Sequence, residues 1–343
     1  MFRYGIAGIP LSSKGRTLED AIKETYRLGL GAIEVQMFRM HIEELPALED
    51  AGQKVKDLED KIVVEVLRAD EEGNYRPVGI DVTLEEEDII LQLYWNLAKN
   101  YEHLSKLGEL ARELDIKLSI HTPYYMDLLG ISELYEQSMN YVLWTARIGE
   151  AIQADRVVSN MGLYGDLSKK EAMNRAIKTV REIKKMLKGM KIKFSPENTG
   201  KRVVFGSLSE IRTLCNKTKV EPTFNMPDHH ARELNPDTKQ PGYFKSSRDV
   251  IKIFDELQNY CKDGLYVHYA GVEHQAGNLV RYLPIKKGDL KFDWVAQAML
   301  EREYDITLIS VSPLLEHDAD YMRVILGRHL EKRILKEEKR KKK

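Results

Sequence analysis

Histidines and carboxylates recur in this chain just after short apolar runs, in His121-Thr122-Pro123-Tyr124-Tyr125, Pro196-Glu197-Asn198, Asn225-Met226-Pro227-Asp228-His229-His230 and Val267-His268-Tyr269. Imidazole and carboxylate are the usual ligands of catalytic zinc or manganese. A rim that gathers them can hold a divalent cation, lower the pKa of a bound water or clamp a phosphate. A carboxylate such as Glu197 can equally act as a general base. Any one of these residues alone is most simply a hydrogen-bonded loop side chain. A set at corresponding positions points to a ligand pocket.

Such a set needs a scaffold that brings many strand ends to one place. Ile192 and Phe194 alternate with Lys191, Lys193 and Ser195, and Pro196 and Gly200 follow. That pattern predicts a short strand with Glu197 just past its carboxyl end. Comparable strands are expected at 3–9, 32–36, 117–121, 156–160, 220–225, 265–270 and 307–311. Helices are expected at 18–28, from about 89 to 114, and at 131–152, 169–187, 208–216, 249–259, 292–300 and 318–335. Repeated strand–helix units imply a parallel sheet, and eight of them predict a (β/α)8 TIM barrel, one α/β domain over 1–335. Residues 41–88 are longer than a barrel connection needs. The stretches 62–68 and 75–83 flank Asp70-Glu71-Glu72-Gly73-Asn74, which looks like a hairpin turn, and predict an inserted β-hairpin after the second strand. Residues 336–343 read as a basic tail.

Lys+Arg number 53 and Asp+Glu 54, so the overall field does not announce a nucleic-acid binder, and such binding needs a local patch. The stretch from Lys332 to Lys343 is one. Cys215 and Cys261 are the chain's two cysteines, which excludes a disulfide framework and a cysteine-built metal site and fits a reducing compartment. No run approaches the length of a membrane span, and the N-terminus is too short in apolar residues for a signal peptide. A soluble, cytoplasmic protein with no membrane partner is expected. There is no glycine-rich phosphate loop.

Together with Gly8-Ile9-Pro10, His230-Ala231-Arg232, Ala270-Gly271, Leu283-Pro284 and Ser312-Pro313-Leu314-Leu315-Glu316, these strings resemble the endonuclease IV family of AP endonucleases. The likeness is to its archaeal members in particular, within the xylose isomerase-like TIM barrel superfamily, and covers the chain outside the inserted hairpin and the basic tail. It implies a three-zinc cluster that activates a water and cuts DNA 5′ to an abasic site. His121, Glu197 and His268 match ligand positions of that family. Asn160, Asn225, Asp228, Val280, Tyr282 and Val311 stand where it has other ligands, and valine cannot bind a metal. What the resemblance leaves is one divalent metal, zinc or manganese, held by Glu197 and His268 with help from His121, Asp228 or His229, or none. Glu197 is the implied catalytic group.

The family engages DNA through its barrel-rim loops. Tyr124, Tyr125, Asn160, Asn225, His230, Arg232, Arg281 and Tyr282 are therefore expected to face substrate or nucleic acid, with Arg39 and Lys245 beside them. Three functions stay open: a metal-dependent endonuclease acting on damaged, abasic-site DNA; a catalytically inactive barrel that binds nucleic acid or, through the hairpin, a protein; and a sugar-phosphate isomerase or epimerase.

Overall fold

The computed structural model of the chain describes residues 2–341. It opens with β1 (Phe2–Ala7), α1 (Leu18–Arg27) and β2 (Ala32–Gln36), then diverts into β3 (His41–Pro46), β4 (Val63–Ala69), β5 (Tyr75–Pro77) and β6 (Ile89–Tyr94). It resumes with α2 (Tyr101–Glu113), β7 (Lys117–His121), α3 (Leu134–Ala151), β8 (Arg156–Ser159), α4 (Lys169–Met186), β9 (Lys193–Pro196) and α5 (Leu208–Thr218). The last third comprises β10 (Phe224–Asn225), α6 (Met226–Arg232), α7 (Ser247–Leu257), β11 (Leu265–Tyr269), β12 (Gly271–Gln275), β13 (Asn278–Leu283), α8 (Phe292–Glu301), β14 (Ile306–Ser310) and α9 (Leu315–Lys341).

Eight strands form one parallel sheet in the order β10-β11-β14-β1-β2-β7-β8-β9. Its two edges meet through a parallel bridge between Glu197 and Thr223, where the Thr223 amide donates to the Pro196 carbonyl at 3.0 Å. The result is the (β/α)8 TIM barrel that the strand–helix alternation predicts. Its strands are apolar along most of their length because the outer face packs on helices and the inner face on the barrel's own core. Gly5 is fixed by that crowding: a Cβ there would lie 2.5 Å from the Ala32 carbonyl oxygen of β2. The helices start where their capping residues dictate. Thr17 with Asp20, Ser168 with Glu171 and Ser207 with Glu210 each close a reciprocal capping box.

Several local expectations change. Residues 89–94 do not begin a helix; Ile-Ile-Leu-Gln-Leu-Tyr pairs antiparallel with both β3 and β4, and the helix starts only after Asn100, whose side chain accepts from the His103 amide. The hairpin β4–β5 is therefore part of a larger insertion, a four-stranded antiparallel sheet ordered β3-β6-β4-β5. The sixth barrel strand is cut to two residues because Asn225 is already the N-cap of α6. A second hairpin, β12–β13, rises from the seventh strand around Ala276 and Gly277, both at positive φ (50° and 75°), as a tight two-residue turn requires. Finally, α9 runs without a break through residue 336, so the basic tail is the end of that helix; Lys342 and Lys343 lie outside the described residues.

Candidate functional site

In a TIM barrel the carboxyl ends of the strands form one mouth, and the loops above them carry function. Here His121 ends β7, Glu197 follows β9, Asn225 ends β10 and His268 lies near the end of β11. These side chains meet. Glu197 Oε1 lies 2.6 Å from His268 Nδ1, and its Oε2 lies 3.3 Å from His121 Nε2. Asn225 Nδ2 donates to Glu197 Oε1 at 2.9 Å and to the Tyr282 hydroxyl at 2.8 Å, and Tyr282 donates to Asp228 Oδ1 at 2.7 Å. Asp228 Oδ2 accepts the Gly200 amide at 2.6 Å.

Sequence reasoning misses Glu34, in the middle of β2. Its Oε2 accepts from His268 Nε2 at 2.8 Å and from the Tyr266 hydroxyl at 3.0 Å. Fully buried, it is detectable in principle as the one charged residue in the apolar strand Ala32-Ile33-Glu34-Val35. A carboxylate there has no route to water and must find a partner inside.

The electrostatics follow from these contacts. Burial works against charge on His268, but Glu34 and Glu197 on its two sides outweigh it and raise the imidazole to about 10. Burial likewise opposes charge on Glu34 and Glu197, and the facing imidazoles, His268 foremost, hold both carboxyls below their ordinary range. His121 is raised, burial again being outweighed by Glu197. Two carboxylates thus face two imidazoles inside the barrel, and the ring of His268 between them is held in its charged form. Asp228 goes the other way: burial and the charge of Glu197 push it up to about 7.

Several expected site residues do other work. On α6, residues 228, 229 and 230 project about 100° apart, so only Asp228 faces the mouth. His229 turns into a pocket of Phe224, Tyr243 and Phe244, where burial lowers its pKa to about 3. It is no ligand partner for Glu197. His230 also leaves the mouth: its Nε2 donates to Asp289 Oδ1 at 3.1 Å and its Nδ1 accepts the Phe244 amide at 3.1 Å. Arg232 is buried and its guanidinium clamps the carbonyls of Thr199, Lys201 and Val204, holding the loop after Glu197 rather than a substrate. Asn160 braces the rim by donating to the Tyr124 carbonyl and accepting the Gly162 amide. Arg281 pairs with Glu273 across the β12–β13 hairpin, and Lys245 lies 3.7 Å from Asp289. Tyr124 stacks on Phe38 with ring centroids 5.5 Å apart and leans on His121 at 5.4 Å; Phe38 and Tyr125 are 59% and 90% exposed. Arg39 is exposed beside them.

A cation at the mouth needs free lone pairs, and the donors present do not supply them. Both nitrogens of His268 are hydrogen-bonded to carboxylates, so the ring is a donor on each side. His121 Nδ1 faces the Thr122 carbonyl at 2.7 Å and its Nε2 faces Glu197, while Asn160 is turned away. Val311, just past β14, packs against the small apolar cluster of Ala32, Val158, Tyr266 and Ile309. This set does not fit a zinc or manganese cluster.

Among the described residues, His230, His274 and Asp289 bring three donor atoms within 4.8 Å of one another. A metal on His230 Nε2 would need the ring proton on Nδ1, yet Nδ1 accepts the Phe244 amide. The trio is a hydrogen-bonded latch that ties α6 to the β12–β13 hairpin.

The profile of the family described as xylose isomerase-like TIM barrel matches residues 79–322. The Methanocaldococcus jannaschii protein MJ0133, itself uncharacterized, is 26% identical over 226 residues, which cover 64% of this chain and 79% of that protein. Among solved structures, SacUVDE superposes with a TM-score of 0.59 at 12% identity, covering 97% of this chain and 99% of its own. Endonuclease IV from Thermus thermophilus gives 0.58 at 16%, covering 96% and 99%. An L-ribulose 3-epimerase gives 0.57 at 12%, covering 98% of each chain. Likenesses at these identities show the fold, and they span proteins of quite different names.

Proposed function

Since the chain belongs to the xylose isomerase-like TIM barrel family, we propose that it is a divergent member of the endonuclease IV type that binds nucleic acid at its barrel mouth without metal and without cutting it. One observation carries this reading: both ring nitrogens of His268 are held by buried carboxylates, at 2.6 and 2.8 Å. The charge that a cation would supply between Glu34 and Glu197 is supplied by an imidazolium ring. With every polar atom of that network engaged inside the protein, no activated water or phosphate clamp is built from it. What remains open to a ligand is the rim.

There Phe38 and Tyr124 stack on each other, and Tyr125 and Arg39, their neighbours along the chain, are exposed. Aromatic faces with an adjacent guanidinium suit unpaired bases, at about 1–3 kcal/mol per stacked base. The motif resemblance to endonuclease IV around His121-Thr122-Pro123-Tyr124 points to the same ligand class. A metal-dependent phosphodiesterase acting on abasic-site DNA, and an isomerase of sugar phosphates, both require a cation ligated from the positions of His268 and Val311; the first has both nitrogens engaged by carboxylates and the second offers no donor atom.

The test is a strand-cleavage and metal assay on one preparation. Protein purified without chelator is expected to carry no stoichiometric zinc or manganese and to leave an abasic-site duplex intact with either metal added. It is also expected to bind single-stranded DNA, with Tyr125→Ala weakening binding about tenfold. Tight metal binding that is lost in His268→Ala, or incision of the duplex, would overturn the metal-free reading. An unaltered single-strand affinity in both Tyr125→Ala and Tyr124→Ala would remove nucleic acid from the mouth.

A further inference from the structure

The other end of the barrel carries a separate feature. Helix α9 has 27 residues, about 40 Å of helix, and runs down from the mouth. Arg333 bonds the Leu300 carbonyl at the end of α8, and Leu300 lines the same cleft as Phe2, the first residue of β1. That is the face opposite the mouth, and every residue from 331 to 340 is exposed as the helix overruns it.

One line of the helix changes character along its length. Met322 and Ile325 are buried against the barrel, and His329 reaches Asp293 at 2.8 Å. The same line, three or four residues at a step, continues as Arg333, Lys336 and Arg340, with Lys332 and Lys339 flanking it. Arg333 is paired with Glu337 and the Leu300 carbonyl. Lys332, Lys336, Lys339 and Arg340 make no ion pair or hydrogen bond among the described residues. Lys332, Lys336 and Arg340 stand about 6 Å apart along the axis, with Lys339 beside Arg340.

We infer that these four residues form a docking strip for a nucleic-acid backbone, at the barrel face opposite the aromatic rim. The protein as a whole is nearly neutral, with net charge −1, so a strip of unpaired cations on one helix face is a local device rather than a consequence of overall basicity. Their spacing suits a ladder of phosphates. The remaining faces of this segment carry Leu330, Ile334 and Leu335 mixed with Glu331 and Glu338. Acids among the apolar residues oppose insertion into an anionic membrane, which a basic amphipathic helix otherwise favours.

The inference does not rest on the reading of the mouth, and its experiment separates the two. Binding of the full-length chain to duplex DNA is measured against salt concentration, beside the quadruple variant Lys332→Gln, Lys336→Gln, Lys339→Gln and Arg340→Gln. All four side chains are exposed, and a circular dichroism melt checks that the variant folds. Each phosphate neutralised contributes a slope of about −0.9 in log K against log salt, so the variant is expected to flatten the slope by about 3 to 4 and to weaken binding at least tenfold at low salt. Tyr124→Ala and Tyr125→Ala should leave the duplex slope unaltered. No duplex binding by the wild type, or the same slope in the quadruple variant, would overturn the inference while leaving the metal and cleavage results to judge the mouth. Preferential binding to phosphatidylserine vesicles would overturn it in favour of a membrane surface.

Discussion

His268 sits between Glu34 and Glu197 and is the residue on which the mouth turns. Removing one partner of a buried ion pair is more damaging than removing both, because it strands the other charge. Glu34→Gln keeps the shape but leaves one flank of the imidazolium uncompensated. It is expected to cost about 3–5 kcal/mol in urea unfolding and to lower the His268 pKa from about 10 toward its ordinary value, readable by imidazole NMR titration. A change below about 1 kcal/mol with an unmoved titration would mean that Glu34 does not hold the ring. His121, Glu197 and His268 can be picked out by type and position, since each follows or ends an apolar strand. Glu34 escapes that logic because it lies mid-strand, where an apolar run ordinarily carries core rather than chemistry. His229, His230 and Arg232 mislead for the opposite reason: their strings look functional, but the helix they belong to turns them away from the mouth.

At the level of elements, the barrel units are legible because each pairs a short apolar strand with an amphipathic, well-capped helix. The insertion is half legible. Residues 89–94 carry enough long apolar side chains to continue a helical pattern into α2, and only pairing with β3 and β4 decides for strand. That sheet is pinned to the barrel by Arg147, whose guanidinium lies 2.9 Å from Glu65 with both side chains at most 10% exposed, and which also bonds the Val64 carbonyl. Arg147→Met fills much of the volume but strands Glu65. The expected loss is about 3–5 kcal/mol, with hydrogen exchange accelerating across β4 and β5 more than across the barrel strands. Uniform acceleration would show that insertion and barrel unfold as one unit and that the pair is not a local pin. The β12–β13 hairpin escapes notice because its turn is Ala276-Gly277, not the Asn-Gly or Asp-Gly that announces such a turn.

For the molecule as a whole, the titrating groups at the mouth set opposing trends of stability with pH. Glu34 and Glu197, held below the ordinary 4.5, contribute stability above that value and lose it as acid drives pH through their folded values. His268 contributes fully below its ordinary 6.5 and loses that contribution as pH rises through about 10. Asp228 is raised from 3.8 to about 7, so its contribution is complete below 3.8 and declines as pH climbs to about 7. Asp228→Asn removes that decline. Relative to wild type, the variant is expected to gain a few kcal/mol in unfolding free energy between about pH 4 and 8, at about 1.4 kcal/mol for each pH step over which only the folded carboxyl keeps its proton, whatever its absolute stability. A difference that stays flat over that range would place the Asp228 carboxyl in the ordinary range and remove it from the network.

The ring itself is joined at one thin place, where two-residue β10 meets β9 through the Glu197–Thr223 bridge. Glu197 therefore belongs to two structures at once, its backbone to the clasp that shuts the bracelet and its carboxylate to the polar knot within. Anything that tugs on that carboxylate also strains the circumference, so occupancy at the mouth should be audible in how fast the Thr223 amide trades its proton with solvent.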